Sequence, residues 1–310
     1  MAIDSSSWFD DLPVIGRLPA DKAAQTLRDM GDPETADLLE EAEQPSEPLE
    51  TFGAFGLFKP KAFQHTAHTF GYVAPFEAGE TALVEIQHAG NIAPHQDLKE
   101  ARIAISLNEL RVADYPGSGM HHVLFDFYGQ NQTADDTAEH VHFTQTYRAQ
   151  EGESVGVIGY PIFVGLRVGG QGAAFRCFTV NVKNDADEGV LKFLDSDVFK
   201  AGLKLVQTVQ PAIAPLTGLA QGVTRMVASR NKNVAVQDFS MGLDFGGAPG
   251  SARLAEGMYV AVQIPEKDSL IWDWAEWAYR PTGGRVVSRS DETTLIPYNY
   301  VSFGVRRYTE

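Results

Sequence analysis

From about residue 51 onward the apolar residues recur at every second position, and this period limits the fold more than any other feature. "KAFQHTAHTFGYV", "TALVEIQ", "ARIAISLNELRVA", "MHHVLFDFYG", "EHVHFTQTYR", "ESVGVIGYPIFVGLRV" and "AAFRCFTVNVK" read as strands separated by Gly, Pro, Asn and Asp turns. "VAVQDFSMGLDF", "GMYVAVQIP", "GRVVSR" and "YNYVSFGVRRY" resume the pattern towards the C-terminus. Successive side chains on a strand point to opposite faces, so such runs bury one row and leave the other outside. Many short strands without alternating helices predict a mainly β fold, an antiparallel β-sandwich or jelly roll.

Two segments depart from this period. Residues 187–232, "DEGVLKFLDSDVFKAGLKLVQTVQPAIAPLTGLAQGVTRMVASRNK", place Leu191, Leu194 and Val198, then Leu216, Leu219 and Val223, at helical spacing. A helical insertion of about residues 187–230 is expected, broken or kinked at Pro211 and Pro215. Residues 1–48 predict a short helical hairpin and linker. Asp21 stands near the first helix start, Gly31 just past its end, Asp32 at the next N-cap and Pro33 at its first turn. Each of these helices carries only a thin apolar stripe and must dock to be stable. The expected organisation is therefore an acidic arm over 1–48 and a β-sandwich domain over 49–310.

Charge is divided unevenly along the chain. Its net charge is −16, which argues against nucleic-acid binding, where a basic stripe is the usual footprint. Residues 1–50 hold 13 acidic and three basic groups, or −10, whereas residues 201–232 hold Lys204, Arg225, Arg230 and Lys232 and no acid. The arm is expected to dock on this basic segment, or the segment to lie on an anionic membrane surface beneath a removable arm. A single cysteine, Cys177, excludes an intramolecular disulfide and points to a reducing compartment. With no basic region followed by an apolar run near the N-terminus, and no membrane-length apolar stretch, the expected location is cytoplasmic.

All eight histidines lie between positions 65 and 142. His140 and His142 are spaced i and i+2, which puts both on one strand face, as a metal site on a sheet requires. With Asp126 and one of His121 or His122 they form the candidate ligand set for a divalent transition metal, and hence for a metal-dependent enzyme. The competing expectation follows from parity. Val141, Phe143 and Tyr147 form the apolar row of this strand, leaving His140, His142, Thr144 and Thr146 as a polar row facing solvent. His121 shares the parity of Val123, Phe125 and Phe127 and belongs beside the core.

"LIWDWAEWAY" gathers Trp272, Trp274 and Trp277, which can form a stacking platform for a ligand or pack as a cap on the sandwich. "VGGQGAAF" lacks the third glycine of a dinucleotide fingerprint and predicts a hairpin turn. "KNDADEGVLKFLDSD" lacks calcium-loop spacing and predicts a capped helix start. No nucleophile elbow or phosphate loop is present in the chain. Together these features predict a non-catalytic binding or interaction protein, with the acidic N-terminal arm and the basic helical insertion as its contact or regulatory elements, a protein partner or self-association and no required cofactor.

Overall fold

A computed structural model describes residues 9–40, 48, 61–132, 138–184, 187, 189, 192, 194, 203–205, 213–246 and 251–309. The fold is mainly β, with 47% of the described residues in strands and 20% in helices. In chain order the first strands are β1 (Ala67–Val73), β2 (Val84–Glu85), β3 (Gln87–His88), β4 (Arg102–Val112) and β5 (Met120–Gln132). Next come β6 (Ala138–Gln150), β7 (Glu153–Arg167), β8 (Gly172–Val182), β9 (Leu203–Lys204) and β10 (Asn233–Asp244). The last are β11 (Ala252–Arg253), β12 (Gly257–Ile264), β13 (Trp277–Arg280), β14 (Arg285–Ser288) and β15 (Tyr300–Arg307). The α-helices among the described residues are α1 (Ala20–Asp29), α2 (Pro33–Glu40) and α3 (Ile213–Ala228).

These strands make a seven-stranded sheet in the order β3-β1-β12-β15-β4-β7-β9, a five-stranded sheet β11-β10-β8-β5-β6 and a three-stranded sheet β14-β13-β2. Two short additions, β9 on β7 and β11 on β10, are parallel, and the other pairings are antiparallel. The two large sheets face each other across one apolar core. Val123, Phe125 and Phe127 of β5 and Phe175 of β8 meet Ile105 of β4, Phe163 of β7, Tyr259 of β12 and Phe303 of β15. Phe127 sits at the centre, with ring centroids 5.4 Å from Phe303 and 5.6 Å from Phe175. β15 lies inside the seven-stranded sheet, between β12 and β4, so the C-terminal strand closes the same sheet as its predecessors.

Local irregularities follow from particular residues. Pro161 cannot donate to a ladder, and it stands in β7 where the register with β4 shifts beside Ser106. In β10 the register shifts between Ala235 and Gln237, so Val236 is an extra residue. Val234 and Val236 face the core before the bulge, and Phe239, Met241 and Leu243 after it, which is why the apolar parity of "VAVQDFSMGLDF" switches partway. "VGGQGAAF" forms a tight turn closed by reciprocal hydrogen bonds of 3.1 Å between Gly169 and Gly172. That turn carries the chain from one large sheet to the other.

The outer faces are covered too. α3 and the segment around Phe9 lie over the five-stranded sheet, where Phe9 stacks on Phe178 at 4.6 Å and Val227 joins Leu124, Phe178 and Val180. The three-stranded sheet covers part of the seven-stranded one, with Trp274, Val286 and Ile296 packed on Val260, Val262 and Ile264. In the arm, Asp32 accepts a hydrogen bond from the Thr35 amide at 3.2 Å, as an N-cap should, and Gly31 takes φ +83° past the end of α1. Ala23, Ala24, Leu27, Met30, Ala36 and Leu39 are buried in the same cluster as the sandwich core. The arm helices are thus part of the packed interior.

Within the helical insertion, Asp187, Gly189, Lys192 and Leu194 are helical, Leu203–Lys204 adds a parallel strand at the sheet edge, and α3 follows. Pro215 falls in the first turn of α3, where its missing N–H costs no intrahelical bond. Among the described residues, no helix is long and apolar enough to cross a membrane.

Candidate functional site

The histidine-bearing face was expected to be a solvent-facing row, and the structure corrects this. His142 is 2% exposed, because α3 lies over the outer face of β5 and β6. Strand pairing sets Asp126 opposite Thr144 and Tyr128 opposite His142, all on that covered face. The Asp126 carboxylate, itself 1% exposed, lies 2.9 Å from His142 Nδ1 through one oxygen. Its other oxygen accepts from Thr144 Oγ1 at 3.0 Å and from Thr224 Oγ1 of α3 at 2.7 Å. Tyr128 adds a contact between its hydroxyl and His140 Nδ1 at 2.5 Å, and its ring packs 5.1 Å from that of His142.

This arrangement joins some members of the candidate ligand set and separates others. His142 and Asp126 are directly bonded, whereas His140 turns to Tyr128. His122 is four residues along β5 from Asp126, about 13 Å away at the usual strand rise. His121 lies in the core with no measurable exposure, its ring 5.9 Å from Tyr115, and burial, with the Lys183 charge, pushes its pKa down to about 4. Among the described residues, no three His, Cys, Asp or Glu side chains are grouped to hold a metal ion. Chemically the cluster is a carboxylate with three donors, two from the sheet and one from the helix, which fixes α3 to β5 and β6. Cys177, on the inner face of β8, is fully buried; burial and then the Asp126 and Asp238 charges push its thiol well above the ordinary value.

The basic positions divide as well. Arg225 pairs with Asp11 of the arm at 2.6 Å, both side chains being about half exposed. Arg230 instead pairs with Asp187 at 2.5 Å, and Asp187 is fully buried and also accepts from Asn233 at 2.6 Å. Lys232 occupies the left-handed turn (φ +66°) between α3 and β10, and Lys204 lies in β9 with its side chain outside the described set. The sequence reading missed Arg176 of β8, which bridges Asp10 of the arm at 2.8 Å and Asp238 of β10 at 2.8 Å. Exposed pairs contribute little and broken buried ones cost several-fold more. Arg225→Ala is therefore expected to lower stability by less than about 1 kcal/mol and Arg230→Ala by about 2–4 kcal/mol. Urea unfolding of the two variants checks this, and equal losses would contradict it.

The tryptophans form a lobe at the opposite side of the molecule. Trp274 begins a single 3-10 turn capped by Asp273, whose Oδ1 accepts from the Ala275 amide at 2.8 Å. Its ring is buried against Gly71, where an added Cβ would fall 2.8 Å from Trp274 Cη2. Trp272 and Trp277 lie nearly parallel, 9° apart with centroids 6.3 Å apart, and Tyr298 meets Trp272 edge-on at 5.6 Å. So Trp274 is a core anchor and Trp272 and Trp277 are half-buried walls. With Asp268, Ile271, Asp273, Glu276, Pro297 and Tyr298 they bound an open cleft of about 260 Å³.

Above that cleft Leu270 is 96% exposed and Ile271 75% exposed. Their turn is held by backbone hydrogen bonds from Asp268 to Pro265, Ser269 to Glu266 and Ile271 to Asp268, of 3.0–3.1 Å. These two residues were absent from the sequence-derived candidates. Their signal was the pairing of aliphatic residues with turn-forming "EKDS" directly before them, where no strand pattern can bury them. Comparison with known proteins finds no family model, no curated protein and no solved structure that matches this chain.

Proposed function

We propose that this protein is a non-catalytic binding module that docks a protein partner through the lobe around Leu270, Ile271, Trp272 and Trp277. The observation that carries this reading is the pair of aliphatic side chains held outside on a hydrogen-bonded turn. Every other large apolar residue among the described ones is at most 45% exposed. Leaving two such side chains in water forgoes about 1.5–3 kcal/mol each, which a partner's apolar surface recovers. A turn fixed by its own hydrogen bonds loses little entropy on binding. Tryptophan and tyrosine at its base are the residue types that dominate interface energetics.

The rest of the molecule fits this reading. The group nearest to acid–base chemistry, the Asp126–His142 pair, is closed beneath α3 with both carboxylate oxygens engaged. Asp268, Asp273 and Glu276 rim the lobe and disfavour an anionic lipid surface. A lone buried cysteine suits a reducing compartment, and we read the protein as cytoplasmic on that basis.

Selection of displayed random peptides against the full-length protein tests the docking role. The recovered peptides are expected to lose at least about tenfold in affinity for the Leu270→Ser/Ile271→Ser double variant, as hot-spot residues do. The melting temperature of that variant should match wild type, because neither side chain packs in the core. Peptides indifferent to the double substitution, or co-sedimentation with anionic vesicles that depends on Leu270 and Ile271, would overturn the reading.

A further inference from the structure

The cleft under the Leu270–Ile271 turn combines two kinds of wall. Trp272, Trp277 and Tyr298 supply aromatic surface, and Asp268, Asp273 and Glu276 supply carboxylates, around a space of about 260 Å³. Among the described residues no Lys or Arg lines it, and the turn above carries one base, Lys267, against Glu266 and Asp268. An anion entering here would meet three carboxylates. A neutral apolar side chain would strip water from those carboxylates without compensating them. A cation satisfies both walls, since aromatic faces attract it through their quadrupole and carboxylates pair with it.

We propose that this cleft receives a cationic side chain, preferentially arginine, from the segment that docks on Leu270 and Ile271. This rests on the docking reading above and names the partner's chemistry: a basic segment with an apolar residue beside its cation. Arginine is favoured over lysine because its planar guanidinium stacks on indole and pairs with carboxylate oxygens in a fork. Asp273 already gives one oxygen to the Ala275 amide, so Asp268 and Glu276 are the freer carboxylates for pairing. The net charge of −16 adds a long-range attraction for such a partner.

The test uses the full-length protein and two small probes, N-acetylargininamide and N-acetylnorleucinamide, read by the indole N–H resonances of Trp272 and Trp277. The arginine probe is expected to shift both resonances saturably, with millimolar affinity that weakens as salt is raised, and the norleucine probe is not. Asp268→Asn and Glu276→Gln, which keep shape and remove charge at a half-buried and an exposed position, should weaken the arginine probe about threefold each by removing one rim charge. Equal response to both probes, no saturable shift, or indifference to both charge substitutions would overturn the proposal. The peptide selection separates this failure from failure of the docking role. Peptides that need Leu270 and Ile271 but contain no Arg or Lys would leave docking intact and remove the cation. An arginine response in a protein whose selected peptides ignore Leu270 and Ile271 would remove docking.

Discussion

Replacing Asp126 by alanine is expected to lower the unfolding free energy by about 3–5 kcal/mol, the range for removing one partner from a buried polar network. The carboxylate is buried and holds His142, Thr144 and Thr224 at 2.7–3.0 Å, so its loss leaves three buried polar groups without their shared partner. Two of the three are on β6 and the third is on α3, so the damage should be felt first at the helix. Amide exchange of α3 should accelerate more than that of β8 or β10. Thr224→Val removes a single donor and is expected to cost only about 1 kcal/mol. A double-mutant cycle between Asp126→Ala and Thr224→Val should show coupling of about 1 kcal/mol or more, because the two groups share one bond. A loss below 1 kcal/mol for Asp126→Ala, measured by urea unfolding, would mean that the cluster does not tie the helix to the sheet.

Acidification should destabilise the fold well before ordinary carboxylates titrate. Burial, with Lys267, Arg17 and Lys183 as second causes, lowers His65 to about 4, His68 to about 3 and His121 to about 4, against an ordinary value of 6.5. A histidine with a depressed folded pKa is neutral in the native state while the unfolded chain takes up its proton. Its contribution is present above pH 6.5 and is lost as pH falls towards the folded value. Asp114 works the other way. Burial, with Glu151 and Asp32 nearby, raises it to about 7 from 3.8 despite the opposing Lys61 charge, so the native state holds its proton more tightly over that window. Three protons favour the unfolded chain and the Asp114 proton favours the native chain, as does that of Glu109, which burial also raises, so the slope is at most about 2.7 kcal/mol per pH unit. Urea midpoints should therefore fall steeply between about pH 6 and pH 4.5, the span between the unfolded and folded histidine values. Asp114→Asn should steepen that fall, and His68→Gln should flatten it. A midpoint that stays level or rises across this range would refute the account.

How much of this was legible in the sequence depended on distance along the chain. The period of two located the strands, and local signals such as Asp32, Pro33 and Gly31 placed the arm hairpin, since each depends on neighbours within a few residues. Spacing put His140 and His142 on one strand face, and the pairing of β5 with β6 brings Asp126 to that face. It could not say that the face is covered, because the cover is Thr224 and Val227 of α3, far along the chain. In β5 and β8 both rows are buried, so "VLFDFY" and "FRCFTVNV" carry apolar residues on each side and blur the alternation that marks a half-exposed strand. Trp274 and Trp272 were visible as a group. Which of them packs and which lines a cleft was decided by Gly71 and Tyr298, contributed by distant strand and loop segments.

The position of β15 bears on how the chain is made. It forms the bridge between β12 and β4, with Phe303 and Val305 filling the core between the sheets. During synthesis β4 can pair with β7 and β12 with β1, yet each lacks its partner on the other edge until β15, residues 300–307, emerges. The two halves of the seven-stranded sheet must wait with open edges, exposing unpaired backbone and apolar rows to other chains. Closure then depends on contacts of long sequence separation, the slow class of folding event. A protein built this way closes its sandwich only once residues 300–307 have emerged, and its exposure to aggregation is greatest just before they do.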